Sequence, residues 1–139
     1  MPTHRGSILT AGLGRFAATD ANAQAHFGPG AGERARELLA TSVEKAKNAG
    51  FDVVTIDINP NEPGESLDRF LSTLRSGDFV GVNIGYGVRG HKEHTELFEK
   101  LLNHAWACKP GIKIMFSNGP DEVITAIKRS FPEAFAESN

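Results

Sequence analysis

The chain has 139 residues, the length of one domain, and a domain of that size buries about 70% of its unfolded surface, enough core to fold without staples. Fifteen Lys and Arg stand against 17 Asp and Glu, so the net charge is −2, which argues against the basic footprint of a nucleic-acid or membrane-surface binder. Apolar residues at 40% and charged residues at 23% exclude a disordered chain, and the single cysteine, Cys108, excludes an internal disulfide and a multi-cysteine metal site.

No apolar run approaches the roughly 18 residues that span a bilayer. The opening MPTHRGSILTAGLG has too short an apolar stretch for a signal peptide, so a cytoplasmic protein is expected. Four short apolar runs follow one another along the chain: residues 7–11 (SILTA), 52–58 (DVVTIDI), 79–84 (FVGVNI) and 112–116 (IKIMF). Each is rich in Val, Ile or Phe and bounded by Gly, Pro or Asn, the signature of strands. Three are apolar almost throughout, as in strands covered on both faces of a parallel sheet.

Helical patterns separate them. Residues 33–49 place Ala35, Leu38, Leu39, Val43 and Ala46 at helical spacing, with Gly50 as the stop. Residues 65–76 align Leu67, Phe70, Leu71 and Leu74, and residues 93–107 align Leu97, Phe98, Leu101, Leu102 and Ala105. A last helix starts at Pro120, where a missing N–H costs nothing, and carries Val123, Ile124, Ile127 and Phe131. Residues 133–139 are expected to be a frayed tail, and residues 15–32 a long flexible loop or lid.

The order βαβαβαβα predicts one α/β domain over residues 1–139. It is a three-layer sandwich whose four-stranded parallel sheet has the order 2-1-3-4, flavodoxin-like or Rossmann-like. Ligands of such sheets sit beyond the carboxyl ends of the strands, where the strand order reverses. In this order the reversal lies between the first and third strands. The two turns that leave them are the glycine-rich ones: Gly12, Gly14 and Arg15 in the first, and Gly85, Tyr86, Gly87, Arg89, Gly90 and His91 in the second.

Glycines allow positive φ and close approach of backbone N–H groups to a ligand. Arg89 and Arg15 supply planar forks suited to carboxylate or phosphate. Tyr86, the only tyrosine, can stack on or hydrogen-bond a ligand. Asn118 follows the fourth strand and either caps the last helix or faces the same cleft. His91, placed at a helix start where the positive dipole end keeps imidazole neutral, is the candidate acid–base group, with Asp57 or His94 in support. These residues point to a small molecule of phosphate or carboxylate type, bound or turned over by lyase, isomerase or hydrolase chemistry. A non-enzymatic ligand-sensing or protein-interaction module is the alternative.

The stretch Gly12-Leu13-Gly14-Arg15-Phe16-Ala17 after a strand, with Asp57 ending the second strand, resembles the dinucleotide fingerprint of the Rossmann family. The resemblance implies an NAD(P)-dependent oxidoreductase. The chain departs from that pattern in two ways. Gly28-Pro29-Gly30 precedes the first convincing helix, and Asp57 lies 57 − 17 = 40 residues after Ala17 instead of about 20.

His91 and His94 are spaced to share a helical face, but Asp57, His26 and Asp121 compete as a third ligand and no spacing selects one, so no metal site is expected. No cofactor follows from the residues themselves. The sequence has no P-loop and no G-x-S-x-G elbow. It also lacks the Ser/Thr-rich first loop of a flavodoxin and the acidic residues of a receiver domain. Cys108 lies at the amino end of the fourth strand and is expected to be structural. Domains of this size commonly pair, and the helix carrying Phe98 and Trp106 is the candidate surface for a homodimer.

Overall fold

The four apolar runs form one parallel sheet in the computed structural model, which describes residues 4–13 and 31–136, without the side chains of 31, 32, 34 and 35. The strands are β1 (Gly6–Gly12), β2 (Phe51–Asp57), β3 (Phe79–Gly85) and β4 (Lys113–Ser117), in the order β2-β1-β3-β4. Between and after them run α1 (Ala31–Asn48), α2 (Pro63–Ser76), the single turn α3 (Tyr86–Arg89), α4 (Thr95–Cys108) and α5 (Val123–Ser130). Short 3-10 turns occupy Lys92–His94, Pro120–Glu122 and Pro132–Ala134. This is the doubly wound order that the alternation of elements predicts.

Strand side chains alternate between the two faces. On one face Leu9, Ala11, Val82 and Ile84 pack with Phe70 and Leu74 of α2 and Leu101 of α4. On the other, Ile8, Phe51 and Met115 pack with Ala46 of α1 and Ile124 and Ile127 of α5. Each fully buried side chain of this kind contributes about 1.5–3 kcal/mol, so both layers are needed. At the start of β3 the register shifts: Ser7 faces Phe79 but Ile8 faces Gly81, leaving Val80 as the extra residue of a bulge.

Several boundaries differ from the sequence expectation. Ala31 and Gly32 belong to α1 and not to the loop, whose remaining residues 15–30 lie outside the described residues. The inward face of α1 carries Leu39, Ser42 and Ala46, while Leu38 is 43% exposed. Ser42 holds the place of a hydrophobe because its Oγ donates to Pro120 O at 3.0 Å and accepts from Ile124 N, tying α1 to the start of α5. Residues 133–136 are not frayed. Pro132–Ala134 form a turn, and the Phe135 ring lies 6.4 Å from that of Phe51 with Lys128 Nζ 5.6 Å from its centre. His104 and Trp106 are exposed, whereas Phe98 turns inward onto Phe116 at 5.8 Å, so of the pairing surface only Trp106 faces outward. Cys108 packs against the core at the end of α4. Among the described residues no helix is long and apolar enough to cross a membrane.

The amino edge of the sheet carries a polar clasp. His4 Nε2 meets Asp78 Oδ2 at 2.7 Å, its Nδ1 lies 3.6 Å from Asp52, and Ser7 Oγ donates to Asp78 Oδ1 at 2.8 Å. The bond to Asp78 holds the imidazole above its ordinary pKa of 6.5, and the same bond, joined by that of Ser7, holds the Asp78 carboxyl below its ordinary 3.8. A raised histidine stabilises the fold fully below 6.5 and loses that contribution as pH rises through its folded value. A lowered carboxyl contributes above 3.8 and loses it as pH falls through its folded value. Both groups are exposed, so water and salt screen the pair and the effect is small. Melting curves of wild type and His4→Ala should therefore separate slightly near pH 5.5 at low salt and converge at alkaline pH; a gap that widens with pH would refute the clasp.

Candidate functional site

The turns after β1 and β3 are neighbours, as the strand order demands. A Cβ built on Gly85 would stand 3.6 Å from Gly12 Cα. The crevice between them, however, is not an open loop of glycine amides. Leu13 is 6% exposed and belongs to the same core as Val88, filling the side covered by α2 and α4. Residues 86–89 wind into α3, and none of Gly85, Gly87 and Gly90 has positive φ; among the described residues that conformation belongs to Gly6, Gly50 and Gly111. The glycines of the second turn serve close packing. A Cβ on Gly87 would lie 2.8 Å from Leu13 Cδ1, and one on Gly90 would lie 2.5 Å from the Tyr86 ring.

That packing holds Arg89 in place. Its guanidinium carbon lies 5.3 Å from the centres of both the Tyr86 and the Phe116 ring. One terminal nitrogen donates to Asn118 Oδ1 at 2.5 Å, with Ser117 O at 3.4 Å. Among the described residues its buried Nε–H has no hydrogen-bond partner and no carboxylate pairs with the guanidinium. Contact with aromatic rings fixes a cation but does not neutralise it.

His91 lies beside this group, its ring 5.8 Å from Tyr86 and 6.1 Å from that of the buried His94. It does not start an α-helix. It is an extended residue before the turn Lys92–His94, and α4 begins at Thr95, so the helix dipole invoked to keep it neutral lies farther along. Asp57 ends β2 as the register partner of Gly12, its carbonyl accepting from Arg69 at 3.0 Å. β1 stands between it and the strand that leads to His91. The structure thus gathers Tyr86, Arg89, His91, His94 and Asn118 around the ends of β3 and β4, and sets Gly12 and Asp57 on the other side of the crevice.

Three residues complete the carboxyl edge. Thr10, Asn83 and Ser117 are all at least nine-tenths buried, at 6%, 0% and 3% exposure. Thr10 and Asn83 are register partners, and Asn83 Nδ2 donates to Ser117 Oγ at 3.1 Å. They share the face covered by α1 and α5: Thr10 and Asn83 lie level with Met115, and Ser117 lies one step farther along, level with Gly85. Thr10 Oγ1 and Asn83 Oδ1 find no hydrogen-bond partner among the described residues. The sequence did carry a signal for Thr10 and Asn83: each is the polar residue near the carboxyl end of an otherwise apolar strand.

Gly14 and Arg15, with the rest of the dinucleotide-like stretch through Ala17, lie outside the described residues, as does His26. Among the described residues no three His, Cys, Asp or Glu side chains are grouped to hold a metal ion. Compared with protein-family models, with curated proteins and with solved structures, the chain gives no match.

Proposed function

We propose that the protein binds an anionic small molecule, of phosphate or carboxylate type, at the carboxyl edge of the sheet beside Arg89. The observation that carries this reading is the state of that side chain: held 5.3 Å from the centres of two rings, partly buried, and, among the described residues, without a carboxylate partner and with an unpartnered Nε–H. A buried unsatisfied charged donor is costly unless something accepts from it. Tyr86 and Asn118 hold the fork in place, and among the described residues nothing lies within 4 Å of a Cβ built on Gly12, which leaves room for a ligand at the rim. Turnover of the bound molecule, as lyase, isomerase or hydrolase chemistry, would use His91 as the acid–base group. His94 adjoins it, whereas Asp57 joins it only through a ligand that crosses β1.

Titration with phosphate, sulfate and simple carboxylates tests this, because a ligand that prefers the native state raises its melting point. At least one should do so, and Arg89→Ala should weaken it about tenfold to a hundredfold, the worth of a charge-assisted hydrogen bond of roughly 1.5–3 kcal/mol. Arg89→Lys should not restore binding, since an ammonium lacks the fork and the stacking plane. Equal affinity in wild type and Arg89→Ala would sink the reading. A second reading, an NAD(P)-dependent oxidoreductase, is favoured by the register pairing of Gly12 with Asp57, which sets the acid beside the first glycine of the fingerprint. A nicotinamide cofactor that co-purifies, seen by its absorbance, would favour it over simple anion binding.

A further inference from the structure

We propose that Thr10, Asn83 and Ser117 form a hydroxyl-recognising floor in this same site, so that the ligand is a hydroxylated anion, such as a sugar or polyol phosphate or a polyhydroxy acid. The inference rests on the anion-binding reading above and goes on to name the substrate class. Its basis is a polar row where the fold calls for apolar side chains. The row lies across three adjacent strands, and each member is at least nine-tenths buried. Asn83 spends the Nδ2 end of its carboxamide on Ser117, and its Oδ1 finds no partner among the described residues. Thr10 Oγ1 stands in register beside it, also unpartnered among the described residues.

The residues next along this face are glycines. Gly12 follows Thr10 by two positions and Gly85 follows Asn83 by two, so no side chain roofs either polar group from its own strand. A Cβ on Gly12 would meet nothing within 4 Å among the described residues. Gly85 is in turn the register partner of Ser117. On their own strands Thr10 and Asn83 are thus unroofed toward the carboxyl edge, where Arg89 reaches the carbonyl of Ser117 and the side chain of Asn118. The unpartnered groups are neutral. A hydroxyl and a carboxamide both donate and accept, which suits ligand hydroxyls, themselves donors and acceptors, and offers a second anion no countercharge. One end of the ligand is thus charged and the other hydroxylated.

Affinities for inorganic phosphate against ribose 5-phosphate, and for acetate against gluconate, test the proposal and separate its phosphate and carboxylate forms. In wild type at least one hydroxylated member should bind tenfold or more tightly than its plain anion. Thr10→Val and Asn83→Leu, which keep the branched shape but remove the polar groups, should erase that preference and leave the plain anion's affinity unchanged. Thr10→Val should also melt no lower than wild type, since an unpaired buried hydroxyl contributes nothing to the empty fold. Equal affinities within both series, or a preference that survives Thr10→Val, would overturn the inference even with Arg89-dependent phosphate binding intact. A lower melting point for Thr10→Val with the preference unchanged would assign the row to an internal water. Failure of every anion to bind would remove the anion-binding reading and this inference together.

Discussion

Phe51→Ala is expected to lower stability by about 3–5 kcal/mol, the range for truncating a fully buried aromatic ring. Phe51 is 2% exposed at the start of β2, and its ring lies 5.0 Å from Phe131 and 6.4 Å from Phe135. The three rings close one end of the layer formed by α1 and α5, and aromatic pairs at such distances add to what area burial alone provides. Removing the central ring leaves both partners facing a void. The loss should therefore show in two ways: a lower denaturation midpoint with little change in slope, and faster cleavage of the segment after Ser130 by a protease under native conditions. Phe135→Ala should cost less, because that ring is only half-buried, yet should loosen the same segment. If Phe51→Ala destabilised the protein without exposing residues 131–136, the rings would not be what fastens the carboxyl-terminal segment.

Gly6→Ala should cost about 2–4 kcal/mol, which joins roughly 1–3 for a disfavoured backbone conformation with roughly 1–3 for overpacking. The residue has φ +137°, a region side-chain-bearing residues rarely adopt, and a Cβ there would lie 2.6 Å from Val80 Cγ1 and 2.9 Å from Cγ2. Val80 cannot swing aside cheaply, since it is β-branched and held in the bulge opposite β1. A double-mutant cycle divides the two causes. Val80→Ala removes the two closest contacts, leaving Cβ at 3.3 Å, but not the backbone strain, so the double variant should be more stable than the summed single losses predict, by about 1 kcal/mol or more. Strict additivity would mean that Gly6 is needed for its dihedral alone.

The sheet order could be read from the sequence because the apolar runs are bounded by turn residues and alternate with helices, although only β1 and β3 are buried on both faces and the edge strand β2 exposes Val54. Phe70, Leu71 and Leu74, or Leu97, Leu101 and Ala105, announce themselves by spacing alone, since a helix buries one stripe. The carboxyl edge was less legible. Leu13 sits in what reads as a glycine loop, yet it enters the core, because Gly87 leaves a hole for its side chain in a helical turn some 70 residues away. Gly90 likewise makes room for the Tyr86 ring and does not supply positive φ. Glycines that serve close packing and glycines that serve a turn look alike in sequence. Thr10 and Asn83 were absorbed into apolar runs because a strand tolerates one polar residue without losing its pattern. Phe135 read as tail because its partner, Phe51, lies 135 − 51 = 84 positions earlier.

The strand order bears on how the chain comes together during synthesis. β1 leaves the ribosome first but occupies an interior place, flanked by β2 on one edge and β3 on the other. Its first edge finds a partner only after residue 57 has emerged, and its second only after residue 85. Until then Ile8, Leu9 and Ala11 form an apolar ribbon with open backbone groups, the kind of segment that pairs with another nascent chain. Closing such distant pairings carries a loop-entropy cost before it is rewarded, so folding should be slower than that of a helical protein of equal length. Fragments that stop short of β3 should accumulate as aggregates, not as small folded units.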